Sequence, residues 1–142
     1  MDQYDHAEKH FREAVRLKPA SADAHNNLAA VLRVLGKTEK SFRHYDTALS
    51  NDPGNANAHH NKALALLATG RLEEGWREYE WRFKRKESHG LPSLPCPAWE
   101  GSPFEQQTLL VGAEQGVGDE IMSASCYTDL IPRVRRCLIY CL

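Results

Sequence analysis

From Tyr4 to about Lys86 the apolar residues recur three and four positions apart, the spacing of amphipathic helices packed on one side. The pattern returns after a shift of 34 residues. Ala7, Ser41 and Gly75 fall in register as small residues, and four positions on so do the aromatics Phe11, Tyr45 and Tyr79. Ala14 matches Ala48, and Pro19 matches Pro53. In the same frame Ala24-His25-Asn26-Asn27 matches Ala58-His59-His60-Asn61, Ala29 matches Ala63, Leu32 matches Leu66 and Gly36 matches Gly70. The unit this predicts is a pair of helices of about 14 residues, joined at a glycine and closed at a proline.

On this frame residues 1–21 form a half repeat holding only a second helix, residues 22–55 a full repeat, and residues 56–86 a full or capping repeat. Solenoid units bury their apolar faces against neighbours, so Ala7, Phe11, Ala14 and Val15 are expected to be partly uncovered. The segment RLEEGWREYEWRFKRK, Arg71 to Lys86, closes the series without a proline. It is expected to be a capping helix whose Trp76, Tyr79 and Phe83 pack on the preceding unit. Four glutamates among its basic residues would repel phosphates, which argues against a nucleic-acid surface.

The pattern then changes. Residues 87–107 are proline-rich and read as a linker that cannot be helical. Beyond it, residues 108–142 give a buried strand (Thr108 to Gly112), a glycine-bearing loop (Ala113 to Gly118), a helix (Asp119 to Ile131) ended by Pro132, and a second strand (Cys137 to Leu142). Strand, loop, helix, strand is the opening βαβ unit of a parallel sheet. Two parallel strands cannot cover their own faces and edges, so truncation at both ends of the chain is expected, with self-association through uncovered repeat faces or a strand edge.

The 142 residues carry 18 basic and 19 acidic side chains and are 42% apolar, which excludes a disordered tail and a highly basic nucleic-acid-binding arm. No apolar run approaches the roughly 18 to 20 residues needed to span a bilayer, and MDQYDHAEKH is not a signal peptide. A soluble cytoplasmic protein is expected. Cys96, Cys126, Cys137 and Cys141 form no C-x-x-C pair, so reduced thiols are the reading, with no disulfide and no structural zinc. His6 and His10 sit at i, i+4 and His59 and His60 are adjacent, but no H-E-x-x-H motif accompanies them and no metal site is expected.

The 34-residue period, His25-x2-Leu28-Ala29-x2-Leu32, Ser41-x3-Tyr45 and Pro53 resemble the tetratricopeptide repeat, with His25 and Ala29 where that family usually has tryptophan and glycine. The run GWREYEWR, then Pro97-Ala98-Trp99-Glu100-Gly101, then TLLVGAEQGVGDEI is similar to bacterial proteins in which such repeats precede a glycosyltransferase of the two-Rossmann-domain (GT-B) type, related to heptosyltransferases and O-GlcNAc transferase. Together these imply a mainly α protein: a helix-turn-helix solenoid of about 2.5 repeats followed by the first βαβ unit of a Rossmann-like domain. The resemblance further implies that a full-length relative binds a nucleotide-sugar donor on its second Rossmann domain, which these residues do not include. No cofactor is expected in this chain, and sugar transfer is not expected from it alone.

Gly116 and Gly118 would let the loop approach a ligand at the carboxyl end of the first strand. Asp119 opens the following helix, as an N-cap or, as the heptosyltransferase resemblance implies, as the general base for an acceptor hydroxyl. Asn27 and Asn61 share a frame position, and in O-GlcNAc transferase asparagines at the matching position line the concave face and bind peptide backbone. An amide supplies both a donor and an acceptor, which suits a peptide group whatever its side chain. Asp23, Asn57, Asn26 and His60 are expected on the same concave face. Two functions stay open: a peptide- or protein-binding repeat module at the front of a glycosyltransferase, where it positions the acceptor, or a stand-alone interaction scaffold without catalytic activity.

Overall fold

The computed structural model describes residues 2–86, 96–97, 99, 108–112 and 124–140. They divide between two compact units, Met1–Gly90 and Leu91–Leu142. The first holds α1 (Asp2–Leu17), α2 (Ala22–Val34), α3 (Thr38–Asn51), α4 (Ala56–Ala68) and α5 (Leu72–Tyr79), with a 3-10 turn over Glu80–Lys84. Among the described residues no helix is long and apolar enough to cross a membrane.

Local chemistry sets the helix ends. Ser21 precedes α2 with extended backbone, and its hydroxyl accepts the Ala24 N–H at 3.3 Å. Asn55, 34 positions on, caps α4 in the same way through the Ala58 N–H at 3.0 Å. Both first helices stop at a glycine in the left-handed region, Gly36 at φ +72° and Gly70 at φ +77°. That turn lets Lys37 N–H reach Leu32 C=O at 2.8 Å and Arg71 N–H reach Leu66 C=O at 3.0 Å, which satisfies carbonyls the helix would leave open.

The core of this unit is assembled from the in-register stripes. Leu28, Ala29 and Leu32 of α2, Ser41, Tyr45 and Ala48 of α3, and Ala58, Ala63, Ala65 and Leu66 of α4 are buried. The small residues permit close crossing. At Gly75 a Cβ would stand 2.7 Å from Leu67 Cδ2 and 3.1 Å from the Leu67 backbone nitrogen, so α5 lies on α4 at a distance only glycine allows.

At the amino end, Ala7, Phe11, Ala14 and Val15 are half-buried, and Glu8 is the one buried residue among the described side chains of α1. Its carboxylate accepts from Lys37 Nζ at 2.6 Å and from Arg12 Nη2 at 2.7 Å, tying α1 to the start of α3.

The cap differs from expectation. Trp76 is not packed on the preceding unit; it is 59% exposed. The chain tightens into a 3-10 turn after Tyr79, and a turn of three residues instead of 3.6 re-aims the side chains that follow. Trp81, in place of Trp76, reaches back to α4 and stacks on His59, rings 3.8 Å apart and 6° from parallel. Tyr79 and Phe83 are half-buried.

In the second unit β1 (Thr108–Gly112) and β2 (Arg136–Tyr140) pair in parallel, from Thr108 opposite Arg136 to Gly112 opposite Tyr140. Between them lie α6 (Tyr127–Leu130) and a 3-10 turn, Ile131–Arg133, that holds Pro132. Parallel pairing requires a crossover, which agrees with the strand, helix and strand read from the pattern. The second strand starts one residue before the expected Cys137. Leu109 is buried, whereas Leu138 and Ile139 are exposed. Most of the linker, the glycine loop and the start of the expected helix lie outside the described residues.

Candidate binding face on α2 and α4

Because α2 and α4 are the same element one repeat apart, their polar residues form two matching rows. Asn27 is exposed on the first row. Asn61, its counterpart, donates from Nδ2 to Oδ1 of Asn26 at 3.0 Å, so an amide of one repeat is tied to an amide of the next. Asn26 is buried by this contact, and its expected place on an open face is corrected: it supports the face from beneath. Asp23 is exposed and accepts from Asn55 Nδ2 at 3.0 Å. Asn57 is exposed and accepts from Arg85 Nε at 2.8 Å, which brings the cap to the edge of the row.

His60 is half-buried beside the Tyr79 ring, with centroids 5.3 Å apart. Its Nδ1 is buried without a hydrogen-bond partner among the described residues. Burial, then the positive charges of Arg85 and Arg82, hold its pKa below the ordinary histidine value. The ring is therefore neutral at pH 7, able to accept or donate one hydrogen bond.

Beneath the face runs a second set of contacts that repeats with the 34-residue frame. His25 Nε2 lies 3.0 Å from the Pro19 carbonyl, and His59 Nε2 lies 3.0 Å from the Pro53 carbonyl. Each histidine thus bonds the proline that closes the repeat before it. Nδ1 of each ring meets the side chain 19 positions on: His44 Nδ1 at 3.0 Å for His25, and Glu78 for His59. A carbonyl only accepts, so Nε2 carries hydrogen in both rings. One of the two Nδ1 atoms, of His25 or of His44, therefore donates to the other. Burial, followed by the charges of His25 and Arg12, lowers the His44 pKa. Sequence alone exposes the repeated histidine but not its partner, because positions 44 and 78 carry different residue types.

His6 and His10 are exposed on α1. Among the described residues no three His, Cys, Asp or Glu side chains gather as a metal site would require. Cys96 and Cys126 are exposed free thiols, and Cys137 is a half-buried one. Gly116, Gly118, Asp119 and Cys141 lie outside the described residues.

Sequence models of the tetratricopeptide repeat match residues 1–56 and 44–77. Among solved structures the chain is similar to one titled "Crystal structure of MamA", with 25% identity and a TM-score of 0.51. The similarity covers 56% of this chain and 47% of that one, so the matched part spans about half the length of that chain. No curated protein sequence matches significantly. With the period, the paired helices, the glycine turns and the family match in agreement, residues 1–77 are tetratricopeptide repeats, the repeat of protein-interaction modules.

Proposed function

We propose that the α2/α4 face binds an extended peptide segment of a partner protein, chiefly through the amides of Asn27 and Asn61. The observation that carries this reading is the coupled pair Asn61 and Asn26 beside the exposed Asn27, which sets uncharged donors and acceptors at repeat spacing. Such groups match a peptide backbone without demanding a particular side chain. Asp23 and Asn57 flank the row and lend it polar edges. The test is a peptide array followed by calorimetry on the peptides retained. Asn27→Ala removes an exposed side chain and is expected to weaken binding about fivefold, the worth of one net hydrogen bond. Binders whose affinity is unchanged by both Asn27→Ala and Asn61→Ala would place the site elsewhere.

A second reading rests on the parallel pair β1 and β2, which supports the opening of a Rossmann-like domain. In this reading the repeats position an acceptor for a glycosyltransferase of the GT-B type, with Gly116 and Gly118 at the ligand and Asp119 as general base. The nucleotide-sugar donor belongs to a further domain of a full-length relative. The alternative is a scaffold that only binds. Mass spectrometry of the protein from its native cell separates them. A mass far above 16.1 kDa, with sugar transfer abolished by Asp119→Ala, supports the enzyme, and a mass of 16.1 kDa leaves the scaffold.

A further inference from the structure

The residue at the head of α3 and its counterpart at the head of α5 each reach back to the second helix of the unit before. Lys37, directly after Gly36, bonds Glu8 of α1 at 2.6 Å. Arg71, directly after Gly70, holds its guanidinium carbon 5.3 Å from the centre of the Phe42 ring on α3. These are one contact repeated, since Glu8 and Phe42 share a frame position and each takes its cation from 29 positions on. Trp76 of α5 is the next residue at that position, and its surroundings repeat too. Glu39 and Asp46 stand three before and four after Phe42, on the same side of the helix, and Glu73 and Glu80 stand three before and four after Trp76. Phe42 is half-buried, with Arg71 over it, whereas Trp76 is 59% exposed and, among the described residues, no cation lies over its ring. Leu72, one turn before Trp76, is exposed as well. The frame position that would supply the cation holds Glu105, itself a carboxylate and outside the described residues.

We propose that Trp76, with Leu72, Glu73 and Glu80, is a docking surface for an arginine of a partner protein, carried at the head of a helix as Arg71 is carried at the head of α5. The occupied copy, Arg71 on Phe42, names the occupant, and an indole offers a cation a better face than a phenyl ring does. Glu73 is 88% exposed and its bond to Arg77 joins two exposed side chains, a weak pair that an incoming guanidinium can exchange. Tyr79, edge-on to Trp76 with centroids 5.6 Å apart, holds the indole in place beforehand. Leu72 supplies apolar surface for the stem of the arginine or its neighbour. The surface lies on α5 and does not rest on the α2/α4 face being a binding face.

The probe is a displayed library of helical hairpins copied from residues 56–86, varied at the residue after the turn glycine and at its exposed positions, and selected on the full chain. Arginine is expected to be enriched after the glycine. The best binder should lose about tenfold in affinity on Trp76→Ala, and glutamate in place of its arginine should cost it as much. Glu73→Lys should weaken it too. Trp76 is exposed, so its replacement should leave the helical circular dichroism unchanged. Binders that keep their affinity for the Trp76→Ala chain, or that show no preference for arginine, overturn the proposal, as does a library that yields none. Sedimentation of the chain alone supplies the remaining outcome: self-association that is lost on Trp76→Ala would seat a second copy there and overturn the assignment to a partner protein.

Discussion

Glu8 shows how a single side chain can tie one helix to the next repeat. It is buried, and it keeps its charge because Lys37 and Arg12 both bond it. The Lys37 bond, then the Arg12 bond, hold its carboxyl below the usual glutamate range. A depressed carboxylate pKa stabilises the fold above the unfolded value, about 4.3, and the stabilisation is lost as pH falls through the folded value. Glu8→Gln is therefore expected to lower stability by roughly 1 kcal/mol at pH 7, the upper range for partly exposed pairs. The deficit should shrink below about pH 4. Thermal melts of both forms at neutral and acid pH check this; an equal deficit at both would mean that shape, not charge, is what Glu8 contributes. In the sequence Glu8 occupies the frame position of Phe42 and Trp76, so the repeat gives no sign of a buried ion pair there. The pair depends on Lys37, 29 positions away, at the turn after Gly36.

Helices α2, α3 and α4 were legible because local and non-local signals coincide in them. Ser21 and Asn55 cap, Gly36 and Gly70 stop, and the buried stripes fall between. The cap was legible only in part. Its aromatic spacing fits a continuous helix, on which Trp76, Tyr79 and Phe83 share a face, yet the structure passes into a 3-10 turn after Tyr79. The stack of Trp81 on His59 and the bond from Glu78 to the same ring are contacts between elements that helix propensity does not encode. Likewise Asn26 and Asn27 are adjacent and chemically identical. Only the position of α4, whose Asn61 closes over Asn26, makes one buried and the other open. The binding face was thus readable as a set of residues but not as a division between those that support and those that are free. In the second unit the strand pattern of β1 and β2 predicted parallel pairing without giving the register.

At the scale of the repeat unit, stability follows position in the stack. A solenoid is held by contacts between neighbours, so elements that bury the most residues open last and those that bury the fewest open first. Buried residues concentrate in α2, α3 and α4, whereas α1 contributes Glu8 and α5 contributes Gly75 among the described residues. Native-state hydrogen exchange is therefore expected to be slowest for amides of α2 to α4 and markedly faster through α1. The α5 amides should be intermediate, because Gly75 lets α5 lie close on α4 and the Trp81 stack closes over its end. Glu8→Gln should accelerate exchange in α1 while leaving α4 unchanged, since the ion pair joins only α1 and the start of α3. Uniform protection from α1 to α5 would instead mean that the unit opens as one body. The graded outcome matters for binding. The α2/α4 face would then sit on the most persistent part of the stack, preorganised for a peptide.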